Sequence, residues 1–413
     1  MKILYVANRI NADDGSSVHC RAFVKHATIL GHEVATYPRM RPLVDKPWSP
    51  STASHKGLVH YLKKINMRTL KAYLHKSNGY VSEMLRFIDG CIDTRRQTRE
   101  IVKMLQAFPA DAIIFRHEPF NLAPFRAARQ AGIPVVQEVN SLRTMEAPLA
   151  QRRRTVTALS RWAERQAIQS SSYLYAVSDP IKAAIDRYTG ESKTIVIPNG
   201  VDTAFFDPAA CDREGMRQSL GVGDKLVLGY VGSYKVWHGL DRAVATLELL
   251  VRKNPSYHLL LVGGGPGLQQ IASLVAEKGL QESVTQIQAV PHDDVPKYMA
   301  AFDLALMTYP EIENFYFSPL KMFEYMAMQL PVVSTRIGQI GDILTDGSTG
   351  VLVRPANPER FADAVENAVP ARRQIGRRAR ELMVIRYSWL ENARQAMAAA
   401  QQAVAGPYTA KRN

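Results

Sequence analysis

The stretch "SPLKMFEYMAMQLPVVST", residues 318–335, changes from a helical pattern to a strand pattern. Ser318 is a good N-cap and Pro319 suits the first helical position, so we expect a helix to begin here. The residues from Leu320 to Met328 are apolar on almost every side, which predicts a buried helix. The β-branched "PVVST" then predicts a buried strand. A buried helix joined directly to a buried strand is typical of a parallel sheet covered by helices.

Two charged residues within this helix need an explanation. Lys321 lies in the first turn, where the positive end of the helix dipole disfavours a cation. Glu324 follows three residues later on the same face, so both side chains are expected to enter the same cavity. The sequence therefore raises the question of which negative charge compensates Lys321.

The same alternation of helix and strand patterns extends over the whole chain. The predicted strands are "ILYVA", "EVATY", "DAIIFR", "PVVQEV", "YLYAVS" and "TIVIP", followed by "LVLGYVGS", "HLLLVGG", "VTQIQAV", "LALMTY", "PVVST" and "GVLV". Such alternation predicts an α/β protein with two doubly wound, Rossmann-like parallel sheets, each covered by helices on both faces. A chain of 413 residues is also long enough for two domains.

The domain boundary is expected near "PNGVD", residues 198–202, where Pro-Asn-Gly interrupts both periodicities. The N-terminal domain then covers 1–198, the C-terminal domain covers 199–388, and a last helix and tail cover 389–413. Residues 45–105 are helical in period and rich in Lys, Arg and aromatic residues, which indicates an insertion in the first domain. This insertion is either a solvated helical surface or a surface for an anionic membrane or a lipid-linked substrate.

The charge and composition narrow the choice of partners. The net charge is +14, which fits a nucleic acid, an anionic membrane or a phosphorylated substrate. No RNA-binding aromatic motif or zinc finger is visible, so we expect no nucleic-acid partner. The three cysteines lie far apart, and no apolar run approaches the roughly 20 residues of a membrane span. We therefore expect a cytoplasmic protein, with peripheral contact at the cytoplasmic face of the membrane as an alternative.

The stretch "VGSYKVWHGLDRAV", residues 231–244, contains a candidate anion site. A strand ends at Gly232, a loop carries the basic residues Lys235 and His238, and Gly239 opens a helix. Basic groups and a helix start at the carboxyl edge of a sheet favour an anion. An exposed lysine beside a packed tryptophan explains the same pattern equally well.

Two other loops contain glycines that suit a ligand. "VGGGPGLQQI", from Val262, is a turn between a strand and a helix whose amides could cradle a phosphate. It lacks the spacing of a dinucleotide-binding motif, and a turn that merely needs glycine fits at least as well. "ANRINADDGSSVHCRAF" is a loop in which Gly15 and the amides after it face a ligand, unless it is an ordinary polar loop. Asp293 and Asp294 suit a helix N-cap better than a metal site, and no metal is expected.

Four motifs together resemble those of a known family. "PNGVD", "YVGSYKVWHG", "LLLVGGGP" and "SPLKMFEYMAMQLPVV", in this order, resemble the retaining, nucleotide-sugar-dependent glycosyltransferases of family four. The resemblance covers about residues 170–390 and extends more weakly to "GHEV" and "GIPVVQEVN". It implies the GT-B fold, with two domains that face a cleft. It also implies a sugar nucleotide on the C-terminal domain, an acceptor on the N-terminal domain, and neither a metal nor a cofactor.

The resemblance also implies roles for particular residues. The helix start presents backbone amides to the donor's diphosphate, Lys321 becomes tolerable beside that anion, and Glu324 holds the ribose hydroxyls. Lys235 supplies further positive charge, and Glu138 and Asn140 lie on one face of a strand in the N-terminal domain. The residues expected to bind the donor are Gly15, Ser16, Gly232, Ser233, His238, Ser318, Pro319, Leu320 and Glu324. The residues expected to be catalytic are Lys321, Lys235, Asn140 and Glu138.

Several positions depart from the family's pattern. Tyr316 occupies the place of the first glutamate of the family's pair, while Glu311 and Glu313 lie nearby but out of register. Ser233 and His238 occupy the places of the usual arginine and lysine. Asn140 stands where many members have an active-site histidine, which we interpret as the mark of a subgroup.

We therefore expect a retaining glycosyltransferase that moves a sugar from a UDP- or GDP-sugar to a hydroxyl of a carbohydrate or lipid-linked acceptor. A surface polysaccharide or a glycolipid is the expected product. The alternatives are another enzyme on the same fold, such as a sugar-nucleotide epimerase or a glycosyl phosphorylase, and a non-catalytic partner in polysaccharide assembly.

Overall fold

The computed structural model shows two compact units, each built around one six-stranded parallel sheet. The first unit ends at Pro198, the second comprises Asn199–Glu391, and the chain returns to the first unit from Asn392. The division falls inside the "PNGVD" stretch. All twelve predicted strands are present, with ends that differ by up to three residues from the predicted ones. The residues that the structure describes are 1–12, 15–41, 80–149, 158–190 and 194–406.

The first unit has the strand order β2-β1-β3-β4-β5-β6. Its strands are β1 (Lys2–Val6), β2 (Glu33–Tyr37), β3 (Ala112–Arg116), β4 (Val135–Val139), β5 (Tyr173–Ala176) and β6 (Ile195–Val196). Its helices up to β6 are α1 (Gly15–Ile29), α2 (Tyr80–Ala107), α3 (Ala123–Ala131), α4 (Arg143–Leu149), α5 (Ala158–Gln169) and α6 (Asp179–Thr189). The order reverses between β1 and β3, where doubly wound sheets bind ligands beyond the carboxyl ends of their strands.

The helix α2 corrects the expected insertion over residues 45–105. Residues 80–105 belong to the helix that connects β2 to β3, and α2 packs against α3. Ile101 and Leu105 on its inner face are buried against the sheet, whereas Arg95 and Arg96 on its outer face are exposed. The outer face gave the segment its basic composition, although the helix is a regular part of the fold. The remainder of the expected insertion, residues 45–79, lies outside the described residues.

The second unit has the strand order β12-β11-β10-β7-β8-β9. Its strands are β7 (Leu226–Ser233), β8 (Tyr257–Gly264), β9 (Val284–Ile287), β10 (Leu304–Met307), β11 (Val332–Thr335) and β12 (Val351–Val353). Its helices are α7 (Arg213–Ser219), α8 (Leu240–Lys253), α9 (Leu268–Glu277), α10 (Val295–Ala300), α11 (Leu320–Ala327), α12 (Gly338–Ile343), α13 (Pro358–Ala368) and α14 (Arg372–Arg386). This order reverses between β7 and β10, so the loop after β7 lies at the position that favours a ligand.

The helix α11 and the strand β11 form the buried pair that residues 318–335 predict. Met322, Phe323 and Tyr325 are buried in the core that α11 shares with the sheet. Gln329, in the connecting turn, has a left-handed backbone with φ of 56°, a conformation that glycine adopts more readily. The turn therefore keeps its shape without a glycine.

The last helix, α15 (Trp389–Ala405), completes the first unit. From Asn392 onward it belongs to that unit, and Ala396 and Ala400 pack in the same cluster as Ile3 and Tyr5 of β1. Across the described part of the chain, no helix is both long enough and apolar enough to cross a membrane.

Two glycines of the second unit show how closely its loops are packed. Gly239 and Gly221 have nearly the same left-handed φ, 67° and 66°, but a Cβ on Gly239 would lie 1.9 Å from the Thr308 carbonyl oxygen. A Cβ on Gly221 would meet nothing within 4 Å. We expect Gly221→Ala to cost about 1 kcal/mol in unfolding free energy through backbone strain. Gly239→Ala should cost about 1–3 kcal/mol more, because the backbone of the neighbouring strand must move. Equal losses in denaturant unfolding would contradict this packing.

Candidate functional site

The amino end of α11 is fixed by the segment that opens the second unit. The Asn199 backbone N–H donates to Ser318 Oγ (3.0 Å), and the Asn199 side-chain amide donates to the Ser318 carbonyl (2.7 Å). The prediction that Ser318 caps the helix is therefore wrong, because its hydroxyl is bonded to Asn199. Pro319 occupies the N-cap position instead of the first helical position, and the helix begins at Leu320. The "PNGVD" and "SPLK" motifs meet at this point.

The first backbone amides of α11 have no hydrogen-bond partner among the described residues. The first hydrogen bond at this end of the helix runs from the Met322 N–H to the Pro319 carbonyl (3.0 Å). The N–H groups of Leu320 and Lys321 precede it, at the end of the helix that carries positive partial charge. This end of α11 therefore favours an anion.

Lys321 lies against β7. Its ammonium donates to the Tyr230 hydroxyl (2.9 Å) and lies 4.3 Å from the centroid of the Tyr230 ring. A Cβ on Gly232 would lie 3.0 Å from Lys321 Nζ, so the absence of a side chain there leaves room for the ammonium. Burial lowers the pKa of Lys321 to about 7, although Glu324 acts in the opposite direction. Among the described residues, no ion pair joins Lys321 to a carboxylate.

His238 and Ser233 form a second layer behind Lys321. His238 Nδ1 lies 2.6 Å from the Ser233 carbonyl oxygen and 2.8 Å from the Tyr230 hydroxyl. Since a carbonyl only accepts, Nδ1 carries the proton. Burial, together with the charge on Lys321, lowers the pKa of His238 to about 2. His238 is therefore neutral, which corrects its expected role as a basic group of the anion site.

Lys235 and Trp237 fit the alternative interpretation of this loop, an exposed lysine beside a packed tryptophan. The Lys235 ammonium lies 5.0 Å from the centroid of the Trp237 ring, and the lysine is exposed. Its positive charge nevertheless contributes to the lowered pKa values of both His238 and Lys321. Lys235 is thus a solvent-exposed neighbour of Lys321.

Glu324 has a different partner from Lys321. Its carboxylate, 16% exposed, lies 3.9 Å from His292 Nε2, and the His292 ring stacks on Phe205 at a centroid distance of 5.3 Å. Burial lowers the pKa of His292, but the charge of the nearby Glu324 carboxylate outweighs it and the pKa rises above the usual value. Sequence reasoning missed His292, because "PHDD" carried no signal beyond a helix start.

The glycine-rich turn after β8 is explained by backbone packing. Gly263 has φ of 139°, and a Cβ on it would lie 2.0 Å from the Gly232 carbonyl oxygen. A Cβ on Gly267 would lie 2.7 Å from the Tyr234 carbonyl oxygen. The two loops after β7 and β8 therefore require glycine in order to approach each other. This agrees with the alternative that the turn merely needs glycine.

A second polar cluster lies in the first unit around Glu138. Glu138 is fully buried in β4, between Arg116 of β3 and Tyr175 of β5, which are its register partners. The carboxylate has five donors, namely His19 Nε2 (2.8 Å), Tyr5 (3.2 Å), Tyr175 (3.1 Å), Arg116 and Asn140. Burial alone would raise the pKa of Glu138, but His19 and Arg116 hold it well below its usual range. Its hydrogen-bonding capacity is filled by the protein itself.

The other site residues expected in the first unit lie around this carboxylate. Asn140 is half-buried and donates to Glu138, so the two side chains share a face as predicted. Gly15 and Ser16 open α1, one turn before His19. The expected site residues thus fall into two groups, with Gly15, Ser16, Glu138 and Asn140 in the first unit and the others in the second.

Sequence reasoning missed most of the polar residues at the ends of the first unit's strands. Arg116 ends β3, and Glu118 two residues later accepts a hydrogen bond from Asn8, which follows β1. Burial raises the pKa of Glu118, although bonds from Asn8 and Asn121 oppose this. The signal was "RHE" directly after a buried strand at the position where the strand order reverses.

Neither Glu311 nor Glu313 takes the place of the family's first glutamate, where this chain has Tyr316. Tyr316 is 3% exposed and lies against Phe317, with ring centroids 4.4 Å apart. Glu311 is exposed and accepts the Ala356 N–H (3.1 Å), and Glu313 is exposed. Asp294 occupies the N-cap position of α10, as expected, but its side chain pairs with Lys297 (2.7 Å) and makes no cap bond. Within the described ranges, no group of three or more His, Cys, Asp or Glu side chains is placed to hold a metal.

Two family models match this chain. The model described as "Glycosyltransferase Family 4" matches residues 14–205, and the model described as "Glycosyl transferases group 1" matches residues 225–369. Together the two matches cover most of the chain and include β7, β8 and α11 of the second unit.

Individual relatives are distant. The alpha-D-kanosaminyltransferase of Streptomyces kanamyceticus is 23% identical over 274 residues, which are 64% of this chain and 69% of that enzyme. The GDP-mannose-dependent alpha-(1-6)-phosphatidylinositol monomannoside mannosyltransferase of Mycolicibacterium smegmatis is 29% identical over 175 residues, 41% of this chain and 45% of that enzyme. A crystal structure of Anabaena Alr3699/HepE in complex with UDP and glucose has a TM-score of 0.66 at 18% identity, covering 97% of this chain and 100% of that chain.

Two carboxylates of the first unit, Glu138 and Glu118, should respond to substitution in opposite ways. The pKa of Glu138 is lowered by folding, so its charge stabilises the fold above about pH 4.3 and this contribution is lost as the pH falls. Glu138→Gln leaves Arg116, whose side chain is only 13% exposed, without its counterion and should cost about 3–5 kcal/mol at pH 7.

The matched control is Glu118→Gln. The pKa of Glu118 is raised by folding, so its charge opposes folding at pH 7 and that cost disappears as the pH falls. Denaturant unfolding at pH 7 should therefore show little loss, or a gain, for Glu118→Gln. A loss as large as that of Glu138→Gln would show that the two environments have been assigned wrongly.

Proposed function

Since the chain is a glycosyltransferase of the family-four type with the GT-B fold, we propose that it transfers a sugar from a nucleoside-diphosphate sugar with retention at the anomeric carbon. The acceptor in this proposal is a hydroxyl of a carbohydrate or of a lipid-linked molecule. The observation that carries it is Lys321, a half-buried cation at the amino end of α11 that no carboxylate of the described residues neutralises. A bound diphosphate supplies the missing negative charge.

The donor is proposed to bind through the second unit. The N–H groups of Leu320 and Lys321 and the Lys321 ammonium offer hydrogen bonds to the diphosphate, and charged hydrogen bonds are the strong ones. Glu324, whose carboxylate is only loosely paired with His292, has acceptor capacity left for the ribose hydroxyls. The nucleotide is UDP or GDP, because the Anabaena protein binds UDP and the mannosyltransferase is named for GDP-mannose.

The proposed chemistry is electrostatic. As the bond to the sugar breaks, negative charge grows on the departing diphosphate, and Lys321 and the helix amides stabilise it as it develops. The departing phosphate oxygen accepts the proton of the attacking hydroxyl on the same face of the sugar, which gives retention without a protein nucleophile. Lys235, exposed beside the loop after β7, adds positive charge from the solvent side.

The first unit is proposed to orient the reacting sugar or the acceptor. Asn140 is half-buried and presents its amide, while Glu138 acts through Asn140 as a positioning residue because its own carboxylate is filled. Gly15 and Ser16 open α1 and present backbone amides there. No side chain of the first unit is assigned as a nucleophile in this proposal.

The acceptor proposal extends to the cellular product. The mannosyltransferase relative acts, by its name, on a phosphatidylinositol mannoside, and the net charge of +14 suits an anionic surface or a phosphorylated substrate. We therefore propose a surface polysaccharide or glycolipid as product, made at the cytoplasmic face of the membrane. A second candidate, a donor-binding protein without turnover, is favoured only by the absence of a carboxylate at Tyr316.

The reaction is tested by a thermal-shift screen of UDP- and GDP-sugars, followed by an assay with the donor that gives the largest shift. A ligand at 100 times its dissociation constant should add about 2.7 kcal/mol to the unfolding free energy. Nucleoside diphosphate should be released in proportion to a glycoside that keeps the donor's anomeric configuration by NMR. Release without acceptor, an epimerised sugar nucleotide, or binding with no turnover on any acceptor would each overturn the transferase proposal.

A further inference from the structure

Tyr230 is a buried residue whose hydroxyl contacts Lys321 and the two residues behind it, Ser233 and His238. It belongs to β7 and is 2% exposed. Its hydroxyl accepts from Lys321 Nζ (2.9 Å), donates to the Ser233 carbonyl (2.8 Å) and lies 2.8 Å from His238 Nδ1. A tyrosine hydroxyl can donate and accept, and the bonds to the Ser233 carbonyl and from Lys321 use both roles.

The direction of these hydrogen bonds is fixed by the groups at the two ends. The Ser233 carbonyl can only accept, and the Lys321 ammonium can only donate. The Tyr230 proton and the proton on His238 Nδ1 therefore both point to the Ser233 carbonyl, which leaves the Tyr230 oxygen to accept from Lys321. The tyrosine is thereby held as an acceptor for the lysine.

Lys321 makes two contacts with the same tyrosine. The hydroxyl fixes the ammonium through a hydrogen bond, and the ring centroid lies 4.3 Å from the ammonium, within the range of a cation–π contact. A free lysine side chain samples many rotamers, and ordering it on ligand binding opposes affinity. A lysine that is already ordered binds an anion without that loss.

We propose that Tyr230 is a positioning residue that holds the Lys321 ammonium where the donor's diphosphate binds, with His238 and the Ser233 carbonyl fixing the direction of its hydroxyl. This inference rests on the proposed function of the same site. It assigns a role to a residue that contacts the lysine and not the reacting atoms.

Diphosphate binding at Lys321 should depend on pH. The titratable groups that face Lys321 are Tyr230 from β7, His238 and Lys235 from the loop after β7, and Glu324 from its own helix, with His292 beyond Glu324. Burial raises the pKa of Tyr230 well above its usual value and lowers that of His238 to about 2, so neither changes charge near neutrality. Lys321, with a pKa of about 7, is the member of this group that faces the diphosphate and titrates there.

Removal of the Tyr230 hydroxyl should shift this titration. Tyr230→Phe keeps the ring but takes away an acceptor of the charged lysine, so the pKa of Lys321 should fall further. Below both pKa values the two proteins carry the same charge and should bind a diphosphate within a few-fold of each other. Above both, the variant should bind about tenfold more weakly or worse, because a hydrogen bond to a charged group shifts a pKa by about one unit or more.

The experiment is a calorimetric titration of UDP and of GDP into wild type, Tyr230→Phe and Tyr234→Phe from pH 5.5 to 8.5. Tyr234→Phe removes a buried hydroxyl from the loop after β7 and leaves the contacts of Lys321 unchanged, so it should follow the wild type. The ratio of Tyr230→Phe to wild-type dissociation constants should grow with pH. A ratio that is constant with pH, or equal to one throughout, would reduce Tyr230 to a packing residue. Failure of the wild type to bind either nucleotide would overturn the proposed function together with this inference.

A second measurement keeps the inference testable if Tyr230→Phe does not fold. In wild type labelled with ¹³C-lysine, the Lys321 ε-methylene should titrate near pH 7 and should show nuclear Overhauser contacts to the Tyr230 ring protons, because Nζ lies 4.3 Å from the ring centroid. The signal is assigned by its loss in Lys321→Arg. A Lys321 signal without contacts to the Tyr230 ring would contradict the inference.

Discussion

A lysine at the positive end of a buried helix is the constraint on which the second unit's site depends. Burial and the helix dipole both disfavour the charge of Lys321, and the protein offsets this only in part. Tyr230 offers one hydroxyl and one ring face, and Gly232 leaves the space. In the proposed function the larger compensation, a full negative charge, comes from the donor's diphosphate. The same features that make Lys321 unfavourable alone therefore favour an anion at the amino end of α11.

The first unit handles a buried charge in the opposite way. Glu138 receives donors from β1, β3, β5 and α1 and from Asn140 beyond its own strand. Nothing is left for a ligand at the carboxylate, whereas Asn140 and Arg116 remain partly accessible around it. The first unit thus contains a closed charge network that fixes side chains. The second unit contains an open charge network, to which we propose that the diphosphate binds. This difference is the physical basis for assigning orientation to the first unit and electrostatic stabilisation to the second.

The sequence predicted the strands well because buried parallel strands are short β-branched runs bounded by turns, a pattern that is local. It also placed Lys321, Gly232 and Glu324 in one unit through motifs with fixed spacing. It could not predict that Ser318 is bonded to Asn199, 119 residues away, which removes it as a helix cap. It could not show that His238 is neutral, because that follows from burial and the Ser233 carbonyl. Arg116 was missed because its importance comes from its ion pair with Glu138 on the neighbouring strand.

The central claim is that Lys321 meets the donor's diphosphate, and a ligand-side double-mutant cycle tests it most directly. Inhibition constants of the nucleoside diphosphate and of the matching nucleoside are measured for wild type, Lys321→Ala and Lys297→Ala at pH 6.5. Lys297 is an exposed lysine paired with Asp294, so its variant should behave as the wild type. Lys321→Ala should weaken the diphosphate by about tenfold or more and leave the nucleoside nearly unchanged, as loss of a hydrogen bond to a charged group requires. Equal weakening of both ligands, or of neither, would contradict the claim.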